Sequence, residues 1–301
     1  MECSLISRTA VVVIFYNPSD IQKRVFKKLS ERMMVVAVDN SATALTTEEI
    51  GGCIYTPLYG NKGIAAAQNI GIKKSIEKGA EILVFFDQDS DVTSQLIKDL
   101  VLSFEKKRAV DKMVAAIGPT LVDKRTNVRY KTGGKKGKGE FVISSSLISS
   151  GTTTSIDVLN KVGGMDEKLF IDYVDFEWCW RANSKGYHVY RSERVVLPHE
   201  VGTKNTSYLG FPVIISSPAR YYYKYRNTFL LAKRKYVPTS WKIKTMFRQV
   251  FTLFHILASS NYKGRRTEFL SNALRGTKEG LSFFLLNKYE EETSFSAEIF
   301  C

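Results

Sequence analysis

Two carboxylates one residue apart close the apolar run Ile82-Leu83-Val84-Phe85-Phe86-Asp87-Gln88-Asp89-Ser90. A run this short, bounded by charge, reads as a buried strand that stops at a polar edge. Two acids at such an edge suit a hard divalent cation, which takes oxygen ligands. They equally suit capping, with Asp87 ending the strand and Asp89 or Ser90 opening the next helix. A second acidic group lies in Leu169-Phe170-Ile171-Asp172-Tyr173-Val174-Asp175-Phe176-Glu177-Trp178-Cys179-Trp180-Arg181. If the chain is helical from Val174, Glu177 and Arg181 form an i,i+4 pair and Asp175 sits in the first turn, where the helix dipole favours a carboxylate. Three acids among so many aromatic rings also fit a carboxylate of tuned pKa, suited to general-base work. A third polar group, Pro198-His199-Glu200, ends a strand-like run. His199 there is either a surface residue or a transition-metal ligand.

These residues need a scaffold that brings strand ends together. Thr9 to Phe15 reads as a buried strand, and Tyr16-Asn17-Pro18-Ser19-Asp20 as a turn with Ser19 or Asp20 as N-cap. Ile21, Val25, Phe26 and Leu29 follow at helical spacing. Met34 to Val38 is a second strand, ending in Asp39-Asn40-Ser41, so the chain opens as a βαβ unit. In open α/β sheets, ligands bind outside the carboxyl ends of the strands. Cys53 to Pro57 reads as a third strand. Asn61-Lys62-Gly63-Ile64-Ala65-Ala66-Ala67-Gln68-Asn69-Ile70-Gly71 matches neither a Walker loop nor a dinucleotide fingerprint. It reads as a helix start, with either a small-residue packing face or N–H groups aimed at a ligand. That helix runs to Gly79. A helix from Val92 to Phe104, a strand at Val114–Ile117, a solvated loop or basic flap over 123–140, and a strand at Phe141–Ile148 follow. Ser149 to Ser155 reads as a hydroxyl-rich turn into a helix, and Tyr187 to Leu197 as a strand.

Composition bounds the reading further. The 301 residues are 44% hydrophobic and 25% charged, ordinary for a globular protein. Cys3, Cys53, Cys179 and Cys301 form no Cys-x-x-Cys pair, which argues for a reducing compartment and against zinc or a disulfide framework. The start reads as a first strand rather than a signal peptide, and no apolar run reaches the ~18 residues of a membrane span. The net charge of +14 implies an anionic partner. Between Arg220 and Lys288 there are fifteen Lys/Arg against Glu268 and Glu279, a net of +13, so nearly all the excess lies there. Ile243, Met246, Phe247, Val250, Phe251, Phe254 and Leu257 recur at helical spacing beside Lys242, Lys244 and Arg248. This is a basic amphipathic helix, which either lies in a membrane interface or packs on the domain. The cation- and tyrosine-rich Arg220–Arg226 precedes it.

Taken in order, these marks resemble the family 2 glycosyltransferases over roughly residues 9–235. They are Val38-Asp39-Asn40, Asn61-Lys62-Gly63…Asn69-Ile70-Gly71, Asp87-Gln88-Asp89, Asp172…Asp175…Glu177 and His199. Phe86-Asp87-Gln88-Asp89-Ser90 and Phe170-Ile171-Asp172-Tyr173-Val174-Asp175-Phe176-Glu177-Trp178 are similar to bacterial L-rhamnosyltransferases in particular. The resemblance implies an inverting enzyme of GT-A fold, α/β with a Rossmann-like mixed sheet flanked by helices. It implies a catalytic domain over 1–235 and a basic helical region over 236–301. It implies Asp175 as catalytic base, with Asp172 and Glu177 the lesser candidates. Many members carry an acid just before the base; here that residue is Val174. Asp39 resembles the acid that reads the nucleotide pyrimidine. Phe15, Asn17, Asn40, Asn61, Lys62, Gly63, Asn69, Asp87 and Gln88 complete the implied donor site. Gly151, Thr152, Trp178 and Arg181 face the acceptor, and Asp87, Asp89 and His199 hold Mn²⁺ or Mg²⁺. The implied partners are dTDP-L-rhamnose, a lipid-linked cell-surface glycan precursor and the anionic inner face of a bacterial membrane, in the cytoplasm and without nucleic acid. A sugar nucleotidyltransferase would carry a glycine-rich basic loop where this chain has Tyr16-Asn17-Pro18. A nucleic-acid-binding protein would leave the acidic clusters unexplained.

Overall fold

The computed structural model describes residues 2–124, 126, 128–130, 139–199, 204–208 and 211–286, with backbone alone at 2, 3, 199, 204–208 and 211–214. The centre of the 123–140 loop and the stretch beyond 286 lie outside the described residues, as does the His199 side chain. The chain forms two units: 1–170 with 174–199, and 171–173 with the C-terminal part from 200.

In the first unit a short helix α1 (Glu2–Ser7) leads into β1 (Thr9–Phe15), α2 (Asp20–Ser30), β2 (Met34–Asp39), α3 (Thr47–Ile50), β3 (Ile54–Pro57), α4 (Ile64–Glu77) and β4 (Ile82–Asp87). Ser19 caps α2 in a full capping box with Gln22. Then come α5 (Ser94–Val110), β5 (Val114–Asp123), β6 (Phe141–Ile143), β7 (Thr153–Ser155), α6 (Ile156–Val162), α7 (Val174–Ser184) and β8 (His188–His199). The sheet order is β3-β2-β1-β4-β7-β5-β8-β6. β1 pairs in parallel with β2 and β4, β2 with β3, and β5 with β8; β7 and β6 are antiparallel to their neighbours. Alternation along β1 sends Val11, Val13 and Phe15 into a core with Phe26 of α2 and Ile97, Leu100 and Val101 of α5.

Two short strands depart from the sequence expectations. The strand expected over 141–148 ends at Ile143, with one further backbone bond from the Ser144 N–H to the Val189 carbonyl (2.9 Å). Thr153-Thr154-Ser155 is a buried strand wedged between β4 and β5 rather than a turn. Its three hydroxyl residues show no apolar period, so nothing local marks them as sheet.

The second unit holds a hairpin of β9 (Lys204–Tyr208) and β10 (Phe211–Ile215), then α8 (Pro218–Lys233), α9 (Thr239–Ala258) and α10 (Arg266–Leu285). Its core is aromatic: Tyr221, Tyr225, Tyr262 and Phe269 pack with Ile256 and Ala273. Phe269 meets the Tyr221 and Tyr262 rings edge-on at 5.0 and 4.8 Å. α10 lies so close to α8 that a Cβ on Gly276 would stand 2.2 Å from the Tyr222 carbonyl oxygen. α8 thus groups with the C-terminal helices, whereas the boundary expected from sequence falls after it, at 235. Among the described residues, no helix is long and apolar enough to cross a membrane.

Candidate active site

The carboxyl ends of β1, β2 and β4 place Phe15, Asp39 and Asp87 along one edge of the sheet. Asp39 is 1% exposed. One of its oxygens accepts from the Ser41 N–H (2.8 Å) and the other from the Tyr55 hydroxyl (2.7 Å). Burial and the hydrogen bond to Asp39 keep that phenol well above its ordinary range, the backbone N–H of Leu45 opposing them. Asn40 joins β2 to the loop before α4: its Oδ1 accepts from the Lys62 N–H (3.0 Å) and its Nδ2 donates to the Gly63 carbonyl (3.2 Å). Asn61 accepts from the Gly63 N–H (2.9 Å). Asn17, with φ of 47°, donates its N–H to Ser41 Oγ (2.7 Å). Gln88 clamps the loop after β1 through both ends of its amide, accepting from the Tyr16 N–H (2.8 Å) and donating to the Tyr16 carbonyl (3.1 Å).

The start of α4 settles one ambiguity. The Ile64 N–H donates to the Phe170 carbonyl (2.7 Å), so that helix end is capped from within the protein. Gly63, at φ 87°, permits this, since a Cβ there would lie 2.7 Å from the same oxygen. Asn69 is also occupied: it donates to the Met165 carbonyl (2.9 Å) and Glu167 (2.8 Å) and accepts from the Met165 N–H (2.7 Å). Asn69 therefore pins the 165–167 turn to α4.

Asp87 is positioned by a residue that sequence reasoning did not select. Ser150, fully buried, donates to Asp87 Oδ2 (2.7 Å), contacts Ser90 Oγ (2.8 Å) and accepts from the Asp87 N–H (3.2 Å). Gly151 and Thr152 bracket Phe85 by backbone bonds of 2.8 and 3.0 Å, an extension of β7. Asp89 is exposed, and among the described residues its side chain has no partner.

The candidate base opens α7. Asp175 accepts from the Ser149 N–H (3.1 Å) through Oδ2 and from the Phe176 N–H (2.9 Å) through Oδ1. Burial pushes its carboxyl up; the Phe176 N–H pulls it down, and the negative charge of Asp87 adds to the rise, bringing it to about 7. Asp87 is thus near enough to be felt, and Asp175 can exchange a proton near neutral pH. A cavity of about 20 Å³ beside it, bounded by Gln68, Ser149, Thr152 and Cys179, has room for one water. The backbone just before α7 is left-handed at Phe170, Asp172 and Tyr173. In the second unit, Asp172 is bound by both nitrogens of the Arg220 fork (2.5 and 3.2 Å), and the buried Asn227 amide donates to the carbonyls of Ile171 (2.8 Å) and Asp172 (3.2 Å). Glu177 is fully buried against Arg181 (2.9 Å), as the i,i+4 spacing predicts. Arg181 also donates to the carbonyls of Val162 and Gly164, and Trp178 Nε1 donates to Gly163 (2.8 Å). At 3% and 2% exposure, Arg181 and Trp178 hold the 162–164 turn, rather than facing an acceptor as the resemblance implies. Asp175 remains the one acid of its cluster that neither salt-bridges nor lies fully buried among the described residues.

Asp87 and Asp89 supply oxygen donors with one exposed carboxylate, which fits a divalent cation held by one or two carboxylates and completed by water and phosphate. The described residues hold no group of three acids, histidines or cysteines that could enclose an ion alone. His199 ends β8 opposite Asp123, its side chain outside the described residues.

A family profile described as "Glycosyl transferase family 2" matches residues 10–154, from β1 through the middle of β7. A curated relative, the dTDP-rhamnosyl transferase RfbF of Shigella flexneri, is 33% identical over 287 residues, 91% of this chain and 96% of that protein. The chain belongs to glycosyl transferase family 2. It is therefore a glycosyltransferase. A solved structure of GalNAc-T7 with UDP, GalNAc and Mn²⁺ aligns with a TM-score of 0.51 at 14% identity, over 87% of this chain. This chain spans 58% of that one, and the likeness is one of fold, the GT-A arrangement of mixed sheet and flanking helices.

Proposed function

We propose that this family 2 enzyme moves L-rhamnose from dTDP-L-rhamnose onto a hydroxyl of a lipid-linked cell-surface glycan precursor, of O-antigen or capsule type, at the inner face of a bacterial membrane. The observation that carries the transfer chemistry is Asp175: a carboxylate raised to about 7, held by two N–H donors and within electrostatic reach of Asp87. The rhamnosyl assignment draws on the 33% identity to a dTDP-rhamnosyl transferase along nearly the whole chain.

In this reading Asp39, with lone pairs beyond those given to Ser41 and Tyr55, takes the N–H of the nucleotide base. The loop from Asn61 to Gly63, held by Asn40, and the loop from Phe15 to Asn17, held by Gln88 and Ser41, flank the nucleotide. Asp87 and Asp89, with His199, would hold Mn²⁺ or Mg²⁺ beside the diphosphate. When bound, that ion supplies Lewis-acid neutralisation of charge on the leaving oxygen. Asp175 takes the proton from the acceptor hydroxyl as that oxygen attacks the anomeric carbon opposite the leaving group, a single displacement with inversion. Gly151 and Thr152 line the acceptor side. The second unit supplies membrane contact: α9 exposes Ile243, Met246, Phe247, Val250, Phe254 and Leu257 along one row among Lys242, Lys244 and Arg248.

A donor screen tests the assignment. With Mn²⁺ present, release of nucleoside diphosphate is expected from dTDP-L-rhamnose in preference to UDP-hexoses. Release from UDP-sugars but never from dTDP-L-rhamnose would remove the rhamnosyl assignment.

A further inference from the structure

Asp175 accepts from two N–H groups, and they restrain it differently. Phe176 is the next residue of α7, so its N–H moves with the carboxylate and fixes it only relative to its own helix. Ser149 lies 26 residues away, and among the described residues its N–H is the one donor to Asp175 from outside α7. Packing does not replace that restraint. The cavity of about 20 Å³ that Asp175 borders is space a turning side chain can enter. What holds the Ser149 peptide therefore aims the base.

The Ser149 carbonyl accepts from the Thr152 N–H (2.9 Å), a bond within its own loop. Its hydroxyl accepts from Gln68 Nε2 (2.8 Å), on α4 and 81 residues away in the chain. Beyond its own loop, Ser149 thus bonds to Asp175 and to Gln68. Gln68 is 4% exposed, and the bond to Ser149 is the one its amide makes among the described residues. It borders the same small cavity as Asp175, together with Phe85, Leu147 and Met165. Burying an amide among such groups is costly unless it is bonded, and an apolar side chain of that size would fill the place without the penalty. The helix that carries Gln68 is itself fixed: the Phe170 carbonyl caps its start, and the next residue, Asn69, binds Met165 and Glu167. A braced helix therefore presents the donor that holds the loop.

We propose that Gln68 is a positioning residue for the base: through Ser149 Oγ it holds the peptide whose N–H aims the Asp175 carboxylate at the acceptor hydroxyl. The inference rests on the reading of Asp175 as the base. Ser150, the next residue, donates to Asp87, so one short stretch of loop sets both acids, and Gln68 anchors that stretch on the Asp175 side.

Steady-state kinetics on the full chain test it, by release of dTDP from dTDP-L-rhamnose with Mn²⁺ and an alkyl glycoside as acceptor. Gln68→Met, of similar size, is expected to lower kcat by at least about tenfold, since a misplaced group costs up to about a hundredfold per ångström. The donor KM, and dTDP affinity by calorimetry, stay parental. Ser149→Ala removes the hydroxyl but keeps the N–H; it is expected to do the same, and it carries the test should Gln68→Met fail to fold. The two substitutions together should lower kcat no further than either alone, because they break one link. In the Asp175→Asn background, Gln68→Met should cause no further loss. A parental kcat in Gln68→Met or Ser149→Ala overturns the inference. So does a full repeat of the loss in the Asp175→Asn background, or a loss in donor KM in place of kcat; either would make Gln68 a support of the fold or of the donor site. The two readings fail separately. A slow Asp175→Asn beside a parental Gln68→Met removes only the role of Gln68. Asp175→Asn at the parental rate removes the base reading, and a parent that releases no dTDP removes the proposed function.

Discussion

Along the carboxyl edge of the sheet, Asp39, Asn40, Asp87 and Gln88 are held by hydrogen bonds within the protein; on α9 of the second unit, large apolar side chains face solvent. Asp39, Asn40, Asp87 and Gln88 each make two or more hydrogen bonds within the first unit. Phe247 and Phe254 are 74% and 62% exposed. The first pattern is that of a preorganised site, in which donors and acceptors are set before any ligand arrives. The second is an exposed apolar row, which in the proposed function meets an apolar phase with an anionic rim. The difference teaches that polar preorganisation and apolar exposure lie in different units, so if the proposed function holds, substitutions should separate chemistry from address.

The largest effect belongs to the base. Asp175→Asn should lower transfer by about 10²–10⁴-fold, the usual worth of a positioned base, with dTDP affinity unchanged by calorimetry. The same variant carries a linkage signature. Because the folded carboxyl titrates at about 7 and the unfolded one at the ordinary aspartate value of 3.8, the folded parent binds more protons between those limits. The parent therefore loses stability as pH rises from about 4 to 7, and the variant does not. In urea unfolding of metal-free protein, the gap should move in the variant's favour across that window and stay flat above it.

Next comes Asp89→Ala, which should raise the donor KM by at least about tenfold, as removal of one carboxylate from a cation site does; a chelator should mimic it in the parent and not in the variant. On the other side of the comparison, Phe247→Glu with Phe254→Glu should cut partition onto anionic vesicles more than about tenfold, given ~1.5–3 kcal/mol for each large side chain withdrawn from an apolar phase. Its kcat on a soluble acceptor should match the parent. A matching loss of kcat would break the separation of chemistry from address. The smallest effect is expected of Ser150→Ala. It removes the hydrogen bond to the Asp87 carboxylate together with the contacts to Ser90 Oγ and the Asp87 N–H; with about 1.5 kcal/mol for the bond to the charged group, kcat should fall by at most about tenfold while Asp87 stays in place. A crystal structure of that variant would show whether Asp87 has rotated.

Much of this fold is legible in the sequence, because it rests on strong periodic signals. The strands that begin near Thr9, Met34 and Ile82 are continuous apolar runs; the second and third end in Asp39 and Asp87, and the first in Phe15 just before the polar turn at Asn17. The Glu177–Arg181 pair follows from helical spacing alone. What is not legible depends on contacts between distant parts of the chain. Ser150 reaches Asp87 across 63 residues, and Asn69 reaches Met165 across 96. The hydroxyl-rich stretch from Ser149 to Ser155 was the available signal for Ser150, but composition there does not say which hydroxyl turns toward the acid. Trp178 and Arg181 sit in an acidic, aromatic motif that draws attention to them, yet their spacing cannot reveal that both point into the 162–164 turn. The α9 row could be read as amphipathic from sequence, but only the fold distinguishes Ile256, buried, from Phe254, exposed.

The central claim is that one carboxylate, Asp175, drives a single displacement at the carboxyl edge of the sheet. The most direct test is the anomeric configuration of the product formed from dTDP-L-rhamnose, read by NMR for the parent and for Asp175→Asn. The account predicts a rhamnosyl product of inverted configuration from the parent, and from the variant only a trace, formed about 10²–10⁴-fold more slowly. Retention of configuration, or an inverted product made by Asp175→Asn at the parental rate, would contradict it.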